Sequence, residues 1–288
     1  MTSPLVTVIC ICYNHSEFIE EAIDSVFQQT YKAIQLIVLD DASSDNSVDV
    51  IVSALKSHPK ILFIKNDSTL GHTNTFNRGL KEARGEFIID LAGDDVLLPN
   101  RVAIGVSDFE NASEKCGVHF SDAEWIDGIG KSLGFHSEKF LQRNIKDENL
   151  YMDLISRYFI CSPTMMFRKQ VIDDLGGYDD TLSYEDFDFW IRSSRNWNYW
   201  YSQEVLVKKR KLRSGHAQSQ SKVFSRQSKS TYKVCQKIMQ LNRTKEEQDK
   251  LSSRIMYEMR LNLKLLNMGI ALSYFKLWKS NKKIQYDS

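Results

Sequence analysis

Two hydrophobic periods alternate along the first hundred residues. Val6-Thr7-Val8-Ile9-Cys10-Ile11-Cys12 is a largely apolar run that predicts a strand, and it stops at the turn-like cluster Tyr13-Asn14-His15-Ser16. Phe18, Ile19, Ala22, Ile23, Val26 and Phe27 then follow at helical spacing, with Ser16 placed to cap that helix. Residues 34–39 form a second apolar run, closed by Asp40-Asp41-Ala42-Ser43-Ser44-Asp45. Val48, Ile51, Val52 and Leu55 mark a second helix, and residues 61–64 a third strand. A third helix over about 73–83 leads through Gly85 into a fourth strand at 87–91. This β-α-β-α-β-α-β order predicts an α/β fold with a doubly wound, mostly parallel sheet flanked by helices. Ligands of such sheets bind beyond the C-terminal strand ends. Those ends carry Tyr13-Asn14, Asp40-Asp41 and Gly93-Asp94-Asp95.

The pattern loosens further on. Strands are expected at 118–121 and at Met165-Met166-Phe167, then a Gly176-Gly177 turn and a helix near 185–195. From about residue 225 the chain reads as helical and basic, with Leu251, Ile255, Met259, Leu263, Leu266 and Ile270 three or four apart. The net charge of +1 hides an asymmetry: residues 206–288 hold 20 Lys and Arg against 5 Asp and Glu, and the remainder holds 18 against 32. Such a split suggests two parts with different partners. No apolar run reaches the roughly 18–20 residues that span a bilayer. No basic segment precedes the first strand, so no signal peptide is expected and a cytosolic start is the default. The five cysteines include no C-x-x-C pair, which disfavours a zinc ribbon or thioredoxin-type site. They read as reduced core residues, Cys10 and Cys12 sharing one strand face.

Three acidic clusters carry the candidate chemistry. Asp94-Asp95 lies just after the fourth strand. Adjacent carboxylates there are tolerable when solvent or a divalent cation offsets their repulsion, and a hard cation such as Mg2+ or Mn2+ prefers oxygen ligands shared with phosphates. In the second cluster Asp45 or Ser47 can cap a helix, whereas Asp40-Asp41 offers carboxylates to a ring N–H or a ribose hydroxyl. In the third, Glu185, Asp186 and Asp188 open a helix. They either favour its positive dipole end or aim a carboxylate base into a cleft, with aromatic neighbours raising its pKa. His216, after the basic run 208–211, is a surface residue or an imidazole metal ligand. No G-x-G-x-x-G or P-loop motif opens a helix, which excludes dinucleotide oxidoreductases and P-loop NTPases, and the G-x-S-x-G string Gly130-Lys131-Ser132-Leu133-Gly134 follows no apolar strand run and so forms no nucleophile elbow.

Taken in order over roughly residues 5–220, these segments resemble the family 2 inverting glycosyltransferases, which have the GT-A fold. The resemblance is carried by the first strand with Tyr13-Asn14, by Ser25-Val26-Phe27-Gln28-Gln29-Thr30-Tyr31, and by Leu39-Asp40-Asp41-Ala42-Ser43-Ser44-Asp45-Asn46-Ser47. Asn77-Arg78-Gly79-Leu80, Ala83-Arg84-Gly85-Glu86-Phe87-Ile88, Gly176-Gly177-Tyr178-Asp179 and Glu185-Asp186-Phe187-Asp188-Phe189-Trp190-Ile191-Arg192 complete it. It implies a GT-A domain over 1–220, with a nucleotide-binding half at 1–100 and an acceptor half at 101–220, and a basic helical extension over 221–288. It implies that Tyr13, Asn14 and Asp41 hold the nucleoside, usually uridine, with Asp94 also on the nucleotide. Asp94 and Asp95 would hold Mn2+ or Mg2+ and the diphosphate, and His216 resembles the family's C-terminal histidine near the metal. Glu185 and Asp186 match the catalytic acid pair, with Asp186 as general base. Two departures stand out: Ala92 replaces an Asp frequent two residues before Asp94, and Phe76 replaces an Arg frequent before Asn77.

The function so implied is transfer of a hexose-class sugar from a nucleoside diphosphate sugar to an acceptor hydroxyl, in polysaccharide or glycolipid assembly of the cell envelope. The implied partners are a nucleotide-sugar donor and a saccharide or lipid-linked saccharide acceptor, with no nucleic acid. A sugar-nucleotide nucleotidyltransferase usually opens with a Gly-rich basic phosphate loop, which Tyr13-Asn14-His15-Ser16 lacks. A non-catalytic nucleotide-binding module would need neither Asp186 nor the acid pair. The tail ends in Leu272, Tyr274, Phe275, Leu277 and Trp278 beside Lys276, Lys279, Lys282 and Lys283. That suits peripheral contact with an anionic cytoplasmic leaflet, or a helical hairpin packed on the catalytic domain or a partner subunit.

Overall fold

The computed structural model describes residues 3–140, 144–212 and 217–286. In chain order its elements are β1 (Val6–Cys12), α1 (Ile19–Phe27), β2 (Ile34–Asp40), α2 (Ser47–Leu55), β3 (Leu62–Lys65), α3 (His72–Leu80) and β4 (Phe87–Ala92). Next come β5 (Val96–Leu97), α4 (Arg101–Asn111), β6 (Cys116–Ile126), β7 (Ser132–Phe135), α5 (Ser137–Phe140), α6 (Tyr151–Ser156) and β8 (Met166–Arg168). The last are α7 (Lys169–Asp174), α8 (Glu185–Ser193), β9 (Asn198–Arg210), α9 (Ala217–Leu241), α10 (Lys245–Lys264) and α11 (Met268–Lys283). These form two compact units, the first from Met1–Glu148, Ile160–Tyr178 and Trp197–Arg213, the second from Asn149–Phe159, Asp179–Asn196 and Ser214–Ser288.

The first unit holds all the strands. β3, β2, β1 and β4 lie side by side and parallel, as the periodicity predicts. β8 then runs antiparallel to β4 and to β6, β9 runs parallel to β6, and β5 closes the order antiparallel to β9. β1 is buried on both faces, which is why it reads as a run rather than an alternation. Val6, Val8, Cys10 and Cys12 share a core with Ile19, Ile23 and Val26 of α1, Ile51 of α2 and Val102 and Phe109 of α4. On the other face α3 lies so close that a Cβ on Gly79 would come within 2.8 Å of Ile9 and Leu39. All five cysteines are buried and unbridged.

Some expectations fail locally. Ser16 does not cap α1, which starts at Ile19 with Phe18 in the cap position and no side-chain cap bond. Ser16 falls two residues before that cap position, and its N–H donates to Asp45 Oδ2 at 3.0 Å, tying the turn after β1 to the loop after β2. β6 runs 11 residues rather than four, and the 13-residue β9 was not foreseen. Its buried Tyr199, Tyr201, Leu206 and Val207 are followed by Lys208, Lys209 and Arg210, so its basic end masks its strand character.

The second unit is helical among its described residues. Its core includes Tyr151, Leu154, Phe187, Trp190, Val234, Ile238, Leu251, Ile255, Tyr274 and Leu277. Arg254 and Glu258 form a buried pair at 2.9 Å, with the guanidinium 4.0 Å from the Tyr158 ring centroid. Thr244 caps α10 by accepting the Glu247 N–H, and Glu247 Oε2 reaches back to the Arg243 N–H, a variant of the capping box. The apolar spacing that continues from Leu263 to Ile270 crosses a break, since α10 stops at Lys264 and Leu266 adopts φ +59°. Among the described residues no helix is long and apolar enough to cross a membrane.

Candidate active site

Register brings the three expected strand ends together. Cys12 pairs with Asp40 and Ile11 with Ala92, so the chain leaves β1, β2 and β4 along one edge of the sheet. The Asp41 N–H bonds Cys12 O at 2.9 Å and the Gly93 N–H bonds Ile11 O at 2.7 Å, carrying that alignment one residue past each end. Tyr13 stands at this edge 47% exposed, an aromatic face with no core role. Asn14, at φ +56°, locks two loops together: its N–H donates to Ser43 Oγ and its Oδ1 accepts the Ser44 N–H at 2.8 Å. Asp45 accepts from Ser16 and Ser47, and these bonds outweigh its desolvation and hold its carboxyl down to about 2.

Asp41 is an organising carboxylate. Its Oδ1 accepts from Asn66 Nδ2, Thr75 Oγ1 and the Leu70 N–H, each at 2.8 Å, and its Oδ2 from the Gly71 N–H at 2.9 Å. Burial alone would raise its pKa; these donors reverse the effect and hold it below the usual carboxylate range. Oδ2 retains capacity for a second donor. The neighbouring Asp40 is fully buried and accepts the Ser43 N–H on Oδ1, while its Oδ2 has no hydrogen-bond partner in the structure. The acidic motif offered both carboxylates and the family resemblance only Asp41; Asp40 is enclosed, with no exposed surface.

The acid pair behaves as two different groups. Asp94 is partly exposed, with its Oδ1 3.7 Å from His15 Nδ1. Asp95 is 3% exposed and accepts the Arg210 N–H at 2.8 Å. Burial, then the neighbouring Asp94 charge, push its carboxyl up from 3.8 to about 7 against the pull of Arg210 and Lys209. Arg210 frames the pair: Nε donates to the Asp94 carbonyl at 3.0 Å, NH1 to the Asp127 carbonyl at 3.2 Å, and NH2 to Glu21 at 2.5 Å. Gln29 secures the stretch that follows, donating to the Leu98 carbonyl and accepting the Val102 N–H. Arg210, Gln29 and His15 were not singled out in the sequence.

Two adjacent carboxyls, one of them buried and pushed up by its neighbour, are hard oxygen donors whose repulsion a divalent cation would relieve. Among the described residues no three His, Cys, Asp or Glu side chains converge into a metal cluster. His216 lies outside the described residues. Phe76 is a core side chain, 4.6 Å from the Tyr178 ring, so position 76 offers no cation. One turn earlier on α3, His72 Nε2 lies 2.9 Å from Asp90 Oδ2, a pair the sequence did not reveal. Asn77 holds the Gly176-Gly177 turn by bonding both the carbonyl and the N–H of Tyr178, at 2.8 and 2.9 Å.

In the second unit, the acids opening α8 divide by environment. Asp188 is fully buried and bonds Arg192 Nε and Lys237 Nζ, both at 2.6 Å. Lys237 also pairs with Asp179, which desolvation would raise but which these bonds and Thr181 hold down to about 2. Asp188 is therefore structural. Glu185 and Asp186 are only half-buried in the first turn, beside an aromatic group of Tyr184, Tyr158 and Phe187. Burial, then the Tyr158 and Asp186 charges, push the Tyr184 hydroxyl far above its ordinary range.

The first unit is thus a doubly wound α/β sheet that presents an aromatic face and an acid pair, one carboxyl partly exposed and one buried, along one strand-end edge. Residues 7–176 match the profile described as Glycosyl transferase family 2, and the chain belongs to that family. An uncharacterized glycosyltransferase of Rickettsia typhi is 30% identical over 213 residues, which cover 72% of this chain and 64% of that protein. The chain thus spans just under two thirds of that relative. One from Methanocaldococcus jannaschii is 30% identical over 73% of this chain and 72% of its own length. Among solved structures, S. aureus TarS 1–349 in complex with UDP-GlcNAc matches with a TM-score of 0.62 at 17% identity, covering 99% of this chain and 93% of that one. The mannosyltransferase PcManGT from Pyrobaculum calidifontis, in complex with GDP-Man and Mn2+, matches with a TM-score of 0.60 at 15% identity, covering 97% and 83%. These likenesses establish the GT-A fold.

Proposed function

We propose that the chain transfers a sugar from a nucleoside diphosphate sugar, a UDP-sugar in particular, to an acceptor hydroxyl with inversion at the anomeric carbon. The observation that carries this reading is the strand-end edge of β1, β2 and β4, with Tyr13, Asp40-Asp41 and Asp94-Asp95 along it. Tyr13 packs on the base. Asp41, through its remaining lone pair, accepts a ring or ribose donor, and Asn14 keeps the two loops in register. The TarS and PcManGT structures are complexes with UDP-GlcNAc and GDP-Man, so the base must be tested directly.

Asp94 and Asp95 would hold Mn2+ or Mg2+, an ion also bound in PcManGT as Mn2+. Such an ion neutralises charge that builds on a departing diphosphate. Arg210 keeps both carboxylates in place through the Asp94 carbonyl and its own N–H to Asp95. Asp186, with Glu185 beside it, takes the acceptor proton as the acceptor oxygen bonds the anomeric carbon and the bond to the diphosphate breaks. The acceptor is a saccharide or a lipid-linked saccharide in polysaccharide or glycolipid assembly. Calorimetry with UDP, GDP and ADP in the presence of Mn2+ tests the donor assignment. UDP should bind at least tenfold more tightly than the others, and equal affinities would remove the uridine reading.

A further inference from the structure

The second unit exposes apolar side chains that its own packing does not use. Within α11, Ala271, Tyr274, Leu277 and Asn281 face inward and are buried. Met268 (63% exposed), Leu272 and Phe275 lie on the outward face at helical spacing, continuous with Leu265 and Leu266 in the turn from α10. The tail residues Tyr274 and Leu277, which the sequence placed with the interfacial group, therefore belong to the core.

Leu266 is the most telling of these. It is 83% exposed and sits at φ +59°, the left-handed position that ends a helix and that Gly or Asn normally fills. The Asn267 N–H closes on the Asn262 carbonyl at 2.9 Å, so the backbone needs this conformation whatever the side chain. A leucine here strains the backbone and exposes an apolar group with no packing gain inside the unit. Such an outlier points to a role outside the fold.

The charge around this turn identifies the occupant. Between residues 259 and 286 there are six cations, Arg260, Lys264, Lys276, Lys279, Lys282 and Lys283, and no acid. Lys264, Lys276 and Lys279 are exposed beside the apolar face, and Lys279 Nζ lies 4.6 Å from the Phe275 ring centroid. Lysines flanking a protruding leucine and an aromatic match an anionic lipid surface, where the stems lie along the apolar layer and the ammonium groups reach the headgroups. Symmetric pairing of this face with its own counterpart in a second copy would bring like charges together. We propose that the α10–α11 turn and the outward face of α11 dock on an anionic lipid bilayer, with Leu266 entering the acyl region. This docking is independent of sugar transfer, so its test needs no turnover.

The experiment is co-sedimentation of the full-length protein with vesicles of phosphatidylglycerol and phosphatidylcholine, at low and high salt, and with phosphatidylcholine alone. Binding should require the anionic lipid and weaken steeply with salt. Leu266→Gly separates docking from packing. Glycine relieves the left-handed position, so the melting temperature should stay level or rise, while vesicle partitioning falls about tenfold. Lys276→Gln and Lys279→Gln should each lower partitioning about fivefold. The proposal is overturned if the wild type ignores phosphatidylglycerol at low salt, or if Leu266→Gly partitions as well as wild type. It is equally overturned if Leu266→Gly melts lower, which would make Leu266 a packing residue. A concentration-dependent dimer that Leu266→Gly abolishes, without vesicle binding, would assign the face to a second copy instead.

Discussion

Asp95→Asn should stabilise the metal-free protein while removing its function. Asp95 is buried, and its carboxyl is raised from 3.8 to about 7 by burial and by Asp94. The folded state therefore binds the Asp95 proton more tightly than the unfolded chain does. Its contribution is most favourable below about pH 4 and is lost as pH rises through about 7. At 1.36 kcal/mol per pKa unit, the ionised Asp95 costs the folded state about 4 kcal/mol at pH 8. Asparagine keeps an oxygen for the Arg210 N–H and carries no charge, so it escapes that cost. Urea titrations of wild type and variant, each with chelator, measure the difference. The advantage of the variant should grow by about 1.4 kcal/mol per pH unit between about pH 4 and 7, then level off. Millimolar Mn2+ with UDP should narrow the gap by stabilising the wild type alone. A variant that is less stable at pH 8, or an advantage that does not change with pH, would show that Asp95 carries no such strain.

Asp186→Asn should lower kcat by about 10²-fold or more with UDP affinity unchanged by calorimetry, and a loss confined to binding would make it a helix-capping residue. Asp188→Ala should instead lower stability by about 3 kcal/mol in urea, because it strips a buried carboxylate from Arg192 and Lys237. Tyr13→Ala should weaken UDP about tenfold at constant melting temperature, since the ring is half exposed and packs on no core. Arg210→Met should cost about 2–3 kcal/mol by leaving the Asp94 and Asp127 carbonyls without their donor, and should weaken Mn2+-dependent UDP binding; unchanged Mn2+ dependence would mean that Arg210 does not frame the acid pair.

The strand-end edge was legible because it is built locally. Each apolar run ends in a polar cluster a few residues long, and parallel pairing of β1 with β2 and β4 follows from the alternation with helices. What escaped was long-range. Arg210 lies 115 residues from Asp95 and reads in sequence as one member of a basic run. Asp186 and Asp188 look alike as acids at a helix start, until burial and Lys237, 49 residues beyond Asp188, set Asp188 apart. Asp40 and Asp41 are likewise adjacent and equivalent on paper, until Asn66, Leu70, Gly71 and Thr75 converge on one of them. In the tail, apolar spacing ran through the left-handed break at Leu266, so inward and outward leucines could not be sorted before the turn was seen.

Nucleotide release from a donor panel tests the central claim most directly. The full-length protein is incubated with Mn2+ and each of several UDP- and GDP-sugars, alongside UTP with a sugar phosphate, and products are followed by chromatography. Sugar-dependent release of UDP, lost in chelator and in Asp94→Ala, is the predicted result. Pyrophosphate release from UTP would make the chain a nucleotidyltransferase. UDP-sugar turnover that persists in both chelator and Asp94→Ala would contradict the role given to the acid pair.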